Sequence, residues 1–236
     1  MISVIIPVYN EEEIIEDSLR RVHERLDSKN TEHEILVIDN GSDDRTAEIC
    51  KSLSSEHGWV RYFEIEERSV GKAFACGVKN ARSDYIITAD ADLSSDLAFI
   101  LDARYLLDRA SMVVGAKSLG RQKRTAFRKL ASYSYVIIAQ WMFDLSLSDF
   151  SIGAKAYRKS DIEDAVGHIS DWTGYVLELS LYLRLREKRI IQIGIECLDK
   201  RKSHFNLLHE GFYRYWHLFK CWTSLRNGSA WFAKLG

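Results

Sequence analysis

The chain has 236 residues, 46% hydrophobic and 28% charged, ordinary globular proportions with enough apolar material for a sizeable core. Lys plus Arg number 33 against 34 Asp plus Glu, so whole-molecule charge offers no argument for a nucleic-acid binder. Cys50, Cys76, Cys197 and Cys221 stand far apart, with no CxxC pair and no nearby histidine at zinc-ligand spacing, which disfavours a metal cage or disulfide framework and suits a reducing compartment.

The opening MISVIIPVYNEEE lacks the basic region and small-residue cleavage site of a signal peptide, and no apolar run approaches the ~20 residues of a spanning helix. The expectation is a protein neither exported by a leader nor threaded through a bilayer. In chain order, ISVIIPV is the first strand candidate, with the single proline, Pro7, near its end. A helix follows in which Ile15, Leu19, Val22 and Leu26 share one face. Asn10 stands where a cap is wanted, with Glu13 at the capping-box position. EILVIDN reads as a second strand, Thr46, Ile49, Cys50 and Leu53 as a second helical face, and VRYFEIE, DYIITAD and MVVGAK as further strands. DLAFILDARYLLDR is helical, DFSIGAKAYRK contains another strand, and GYVLELSLYLRLREKR is helical again. Strands apolar on both faces, alternating with helices, predict an α/β fold: a mostly parallel, Rossmann-like sheet with helices on both sides. With no linker or repeat, residues 1–236 read as one domain with halves 1–117 and 118–236, the second closing in aromatic, basic helical segments.

In such a sheet, ligands bind beyond the carboxyl ends of the strands. Those ends carry Tyr9-Asn10-Glu11, then Asp39-Asn40-Gly41-Ser42-Asp43-Asp44, then Asp90-Ala91-Asp92. Converging carboxylates repel unless a cation or donors lie between them, and Mg²⁺ or Mn²⁺ held by Asp90 and Asp92, with positions left for a diphosphate, relieves that repulsion. The competing reading of Asp90 or Asp92 is a cap on the next helix.

VIIPVYNEE, VIDNGSDDRT, GKAFACGVKNA and DYIITADADLS, in this order, resemble the nucleotide-sugar half of family 2 glycosyltransferases with the GT-A fold. VVGAK, the basic stretch, DFSIGAKAYRK and RKSHF are similar to the branch containing dolichyl-phosphate mannose and glucose synthases. The chain departs from that branch in having Gly115-Ala116-Lys117 for Gly-Ser-Arg and Lys155 for an arginine, keeping charge but losing the bidentate fork. The resemblance implies that Asp39 reads the nucleobase, that Pro7, Tyr9, Asn10 and Glu11 shape the base and ribose pocket, and that Lys72 and Ala91 meet the nucleotide. It implies Asp90 and Asp92 as metal ligands, with Ser94 where relatives carry Gln or His beside the ion. Lys117, Arg124, Arg128, Ser151, Lys155, Arg201 and Ser203 would face the acceptor, and Asp90, Asp92, Lys117 and Arg128 would carry catalysis.

The implied reaction is inverting transfer of a hexose from a GDP- or UDP-sugar to a polyprenyl or dolichyl phosphate, whose oxygen is already ionised and needs no general base. No acid occurs between Asp108 and Asp144, whereas Arg109, Lys117, Arg121, Lys123, Arg124, Arg128 and Lys129 do, which suits an anionic acceptor or, more plainly, a solvated helix face. Tyr133, Tyr135, Trp141, Phe143, Trp216, Trp222 and Trp231 among basic residues suit a bilayer interface on the cytoplasmic membrane face, a buried helix, a membrane-anchoring partner or a homo-oligomer. Asp149 keeps a hydroxyl acceptor, such as a glycan, open as a second reading. A nucleotide-sugar-binding protein without turnover is a third.

Overall fold

The computed structural model describes residues 1–117, 126–150, 152–196 and 207–227, excluding the side chains of 126–132 and 207–210. Seven strands, β1 (Ile2–Val8), β2 (His33–Asp39), β3 (Val60–Glu64), β4 (Tyr85–Thr88), β5 (Met112–Ala116), β6 (Lys155–Arg158) and β7 (Ile190–Gly194), form one sheet in the order β3-β2-β1-β4-β6-β5-β7. β6 alone of these runs antiparallel to its neighbours, pairing Thr88 with Lys155 on one side and Val114 with Lys155 on the other. The start of β6 is thereby drawn to the same edge as the ends of β4 and β5.

The helices are α1 (Ile15–Asp27), α2 (Thr46–Glu56), α3 (Val70–Asn80), α4 (Ala98–Leu106), α5 (Ala126–Phe143), α6 (Lys159–Val166), α7 (Tyr175–Leu185) and α8 (Leu207–Arg226). Period-two alternation sorts the strand residues between two cores. Val4, Ile6, Ile35 and Val37 pack with Ile15, Leu19, Val22 and Leu26 of α1 and Phe99 of α4. Ile5, Leu36, Ile38 and Tyr157 face Phe74 of α3 and the apolar sides of α5, α6, α7 and α8. Helices therefore cover both faces, as the doubly apolar strands require.

The α1 face is as expected, but its start is not. Ile14 occupies the cap position without a side-chain bond, and Asn10 adopts a left-handed φ of 55° four residues earlier. Its side chain bonds the β2 loop instead.

α5 and α8 pack together through Tyr135 edge-on to Tyr215 and a 2.8 Å hydrogen bond between the Ser134 and Tyr215 hydroxyls. Their outer sides carry exposed stripes at helical spacing: Tyr133, Ile137 and Trp141 (82% exposed) on α5, and Phe212 (77%), Trp216 and Phe219 on α8. Among the described residues no helix is long and apolar enough to cross a membrane.

Candidate active site at the strand tips

β1 is flanked by β2 on one side and β4 on the other, so the point where strand order reverses lies at its tip. The two flanking tips put Asp39 and the Asp90–Asp92 pair on either side of it, with two strand spacings, about 10 Å, between β2 and β4.

On the β2 side, Asp39 is buried and accepts from the Ser42 amide (2.9 Å) and the Tyr62 hydroxyl (2.9 Å). Those bonds aim a carboxylate that the fold otherwise has no reason to bury. Asn10 closes the neighbouring loop, donating from Nδ2 to Asp43 (2.6 Å) and accepting from the Asp43 amide (3.0 Å), while the Glu11 amide donates to Thr46 Oγ1 (2.8 Å). Gly41 supplies the φ of 79° the turn needs. Pro7 and Tyr9 line the same edge half-buried, and the Arg68 guanidinium lies 3.8 Å from the Tyr9 ring centre. Asn40 Oδ1 accepts from the Ser69 amide (2.5 Å), bringing the start of α3 alongside. There Lys72 pairs with Glu67 and stands 4.0 Å from Asp171, which together raise its pKa.

On the β4 side, the chain turns sharply after Ala89. Leu93, in a left-handed φ of 47°, donates its amide to the Asp90 carbonyl (3.0 Å), and Asp92 Oδ1 accepts from the Ser94 amide (2.9 Å). Asp96, not Asp90 or Asp92, holds the amide at the start of α4, bonding Ala98 N at 2.8 Å. The helix-cap alternative for the pair is thereby removed. Burial and the neighbouring Asp92 charge push the Asp90 carboxyl above the usual carboxylate range, while Lys155 and Lys117 pull it back in part. Gly153 lies against that carboxylate so closely that a Cβ would overlap it. A largely buried pair of hard oxygen ligands, one of them disfavoured as a bare anion, fits a divalent cation such as Mg²⁺ or Mn²⁺.

The site therefore combines a buried, hydrogen-bonded carboxylate, a pair of acids at the switch point and two lysines whose charge acts on that pair. Residues 3–165 match the family model Glycosyl transferase family 2. The chain belongs to glycosyl transferase family 2. It is 33% identical, over 164 residues, to the undecaprenyl-phosphate 4-deoxy-4-formamido-L-arabinose transferase of Edwardsiella ictaluri, covering 69% of this chain and 50% of that one. It thus spans about half the length of that curated relative. Among solved structures it resembles mannosyl-3-phosphoglycerate synthase from Rubrobacter xylanophilus (TM-score 0.68, 14% identity, 97% of this chain and 75% of that one). It also resembles glucosyl-3-phosphoglycerate synthase from Mycobacterium tuberculosis in complex with Mn²⁺, UDP and phosphoglyceric acid (TM-score 0.65, 18% identity, 91% and 75%). The α/β, GT-A architecture expected from the sequence is the one these neighbours share.

The residues expected to face an acceptor are described in part. Lys117 follows β5, and its amide approaches Asp149 Oδ2 at 3.4 Å. Lys155 is 2% exposed, and burial drives its pKa down to about 8 against the opposing pull of Asp149 and Asp90. Arg128 falls within α5, where only its backbone is described, and Arg124, Ser151, Arg201 and Ser203 lie outside the described residues. Asp149 is buried, with Oδ1 accepting from the Ile152 amide at 3.2 Å.

Sequence reasoning passed over Gly153, Tyr62, Arg68 and Tyr175, the last a buried tyrosine whose pKa is raised by burial and by Asp90. Only Gly153 carried a signal: glycine before a short strand marks close backbone approach. The expectation that no histidine stands at ligand spacing from a cysteine was wrong: His217 and Cys221 lie one helical turn apart on α8 and meet Glu178 in space.

Proposed function

We propose that this chain is a metal-dependent, inverting glycosyltransferase that moves a hexose from a GDP- or UDP-sugar to a polyprenyl phosphate at the cytoplasmic face of a membrane. The carrying observation is the Asp90–Asp92 pair at the switch point beside buried Asp39, with Asp90 pushed toward its neutral form by burial and by the Asp92 charge. The curated relative's name, an undecaprenyl-phosphate sugar transferase, supports the acceptor class, and the Mn²⁺–UDP complex of a structural neighbour supports the cofactor and donor classes.

In this reading Asp39, with Pro7, Tyr9, Asn10 and Glu11, holds the base and ribose, and Lys72 and Ala91 border the nucleotide. Asp90 and Asp92, with Ser94 at the turn, hold Mg²⁺ or Mn²⁺, which supplies Lewis-acid stabilisation of charge growing on the leaving diphosphate. Lys155 and Lys117 are countercharges to Asp90, pulling its carboxyl partway back toward the ionised form. Lys117 and Arg128, with Arg124, Ser151, Lys155, Arg201 and Ser203, draw the acceptor phosphate to the opposite face of the sugar, where in-line attack inverts the anomeric carbon. An ionised phosphate needs no base; Asp149, which accepts from the Lys117 and Ile152 amides, is the carboxylate a hydroxyl acceptor would call on. The exposed stripes of α5 and α8 serve as the membrane-facing surface of the 118–236 half, as amphipathic helices rich in Trp and Tyr do.

The test is transfer of label from sugar-labelled GDP- and UDP-hexoses to polyprenyl phosphate in Mn²⁺. Label is expected in the lipid fraction, is lost with EDTA, and falls by about 10³-fold or more in Asp92→Asn, the scale of removing a dominant electrostatic group. Label in oligosaccharide and none in lipid would instead select the hydroxyl-acceptor reading.

A further inference from the structure

The segment Ser170-Asp171-Trp172-Thr173-Gly174, between α6 and α7, carries no recognisable motif, yet it is clamped from two sides. On one side is the start of α3. The Ser69 hydroxyl donates to the Asp171 carbonyl (2.6 Å), the Gly71 amide donates to the same oxygen (2.8 Å), and a Cβ on Gly71 would overlap the Ser170 backbone. On the other side is α8. A Cβ on Gly174 would come within 2.6 Å of His217 Cε1, and His217 Nε2 lies 2.8 Å from Glu178 Oε1. The second Glu178 oxygen accepts from the Ser170 amide at 2.6 Å.

These contacts form one unbroken series: His217, Glu178, Ser170–Asp171, Ser69, and then Asn40, which follows Asp39 at the tip of β2. Glu178 and His217 are both buried. Cys221 completes a trio of metal-ligating types, but its sulfur lies 3.7 and 3.8 Å from the two imidazole nitrogens, in line with neither, and both Glu178 oxygens are already bonded. The trio is organised for hydrogen bonding.

We propose that His217, acting through Glu178, is a positioning residue for the donor pocket. It fixes residues 170–174 against the start of α3 and so holds Ser69, Gly71 and Lys72 in place beside Asn40 and Asp39. This rests on reading that edge as the nucleotide site.

The experiment compares His217→Leu, His217→Gln and Leu218→Ala in the full chain. Leu218 is a buried neighbour on α8 outside the series, so its truncation reports general destabilisation. Two readouts are taken: amide hydrogen exchange at Ser69 and Gly71 without ligand, and calorimetric Kd for UDP and GDP with Mn²⁺. His217→Leu should speed exchange at both amides and weaken nucleotide binding by about 10-fold each, the scale of one lost buried hydrogen bond to a charged group. His217→Gln, which can still donate to Glu178, should stay within about 3-fold of wild type. Unchanged exchange in His217→Leu, or equal acceleration in Leu218→Ala, overturns the proposal. Exchange needs no nucleotide, so wild-type protein that binds neither UDP nor GDP overturns the donor reading while the exchange comparison still decides the positioning role.

Discussion

A tightly constrained contact of the site is between Asp90 and Gly153. The Gly153 carbonyl accepts from Thr88 Oγ1 across β4 and β6, which presses the backbone against the carboxylate until no side chain fits between them. Backbone can approach a ligand-bearing group this closely only where Cβ is missing. Gly153→Ala is therefore expected to swing Asp90 out of its position beside Asp92. Isothermal titration should show the Mn²⁺-dependent part of nucleotide affinity falling at least about 10-fold, the usual lower scale for disturbing what orients a ligand, while far-ultraviolet circular dichroism stays native. Leu93 tells the same story from the other side of the turn. A γ-branched residue at φ 47° costs on the order of 1 kcal/mol or more, a strain that persists where the surroundings over-determine a functional turn.

At the level of elements, the tips on one edge are matched by a polar knot toward the other. Glu34, near the start of β2, is buried and accepts from Ser3 Oγ (2.6 Å), the Arg82 amide (2.7 Å) and Arg61 (2.8 Å), tying β1, β2, β3 and the approach to β4 together. Burial alone raises its pKa, but these donors outweigh burial and leave it below the ordinary value of 4.5. A carboxyl depressed in the folded state contributes stability that is complete above its unfolded pKa and is lost as pH falls through the folded one. Urea midpoints should accordingly fall as the pH drops below about 4.5, and Glu34→Gln should flatten that part of the profile while lowering stability at pH 7. Equal acid slopes in the two proteins would remove Glu34 from the account.

For the molecule as a whole, the outer sides of α5 and α8 are the feature that burial does not explain. Apolar stripes of this size on neighbouring helices mark an interaction surface. Residues 126–143 contain no acid and α8 none after Glu210, while α8 carries Arg214, Lys220 and Arg226. Replacing Trp141 and Trp216 together by Ser should reduce co-sedimentation with anionic phosphatidylglycerol vesicles by about 10-fold or more, given the apolar area each indole carries, with the residual binding abolished by high salt. Wild-type protein that stays in the supernatant with such vesicles at low salt would refute a bilayer-facing role.

The sequence by itself determined the sheet's parallel character, the buried face of α1, and which polar residues stand at the three tips. Each follows from local rules: strands apolar on both faces must be covered twice, and polar residues at strand ends must face the open edge. Local rules failed at Asn10, because a residue that suits a helix cap also suits a left-handed turn, and only Asp43, 33 positions away, chose between them. They likewise missed β7, whose half-buried IIQIG has too short a pattern to separate from its helical neighbour. Tertiary structure alone decided which side of the sheet β6 entered, and with it the burial of Lys155 near Asp90. It alone seated residues 170–174 between α3 and α8, since contacts of one hundred residues' separation leave no periodicity in the chain that makes them.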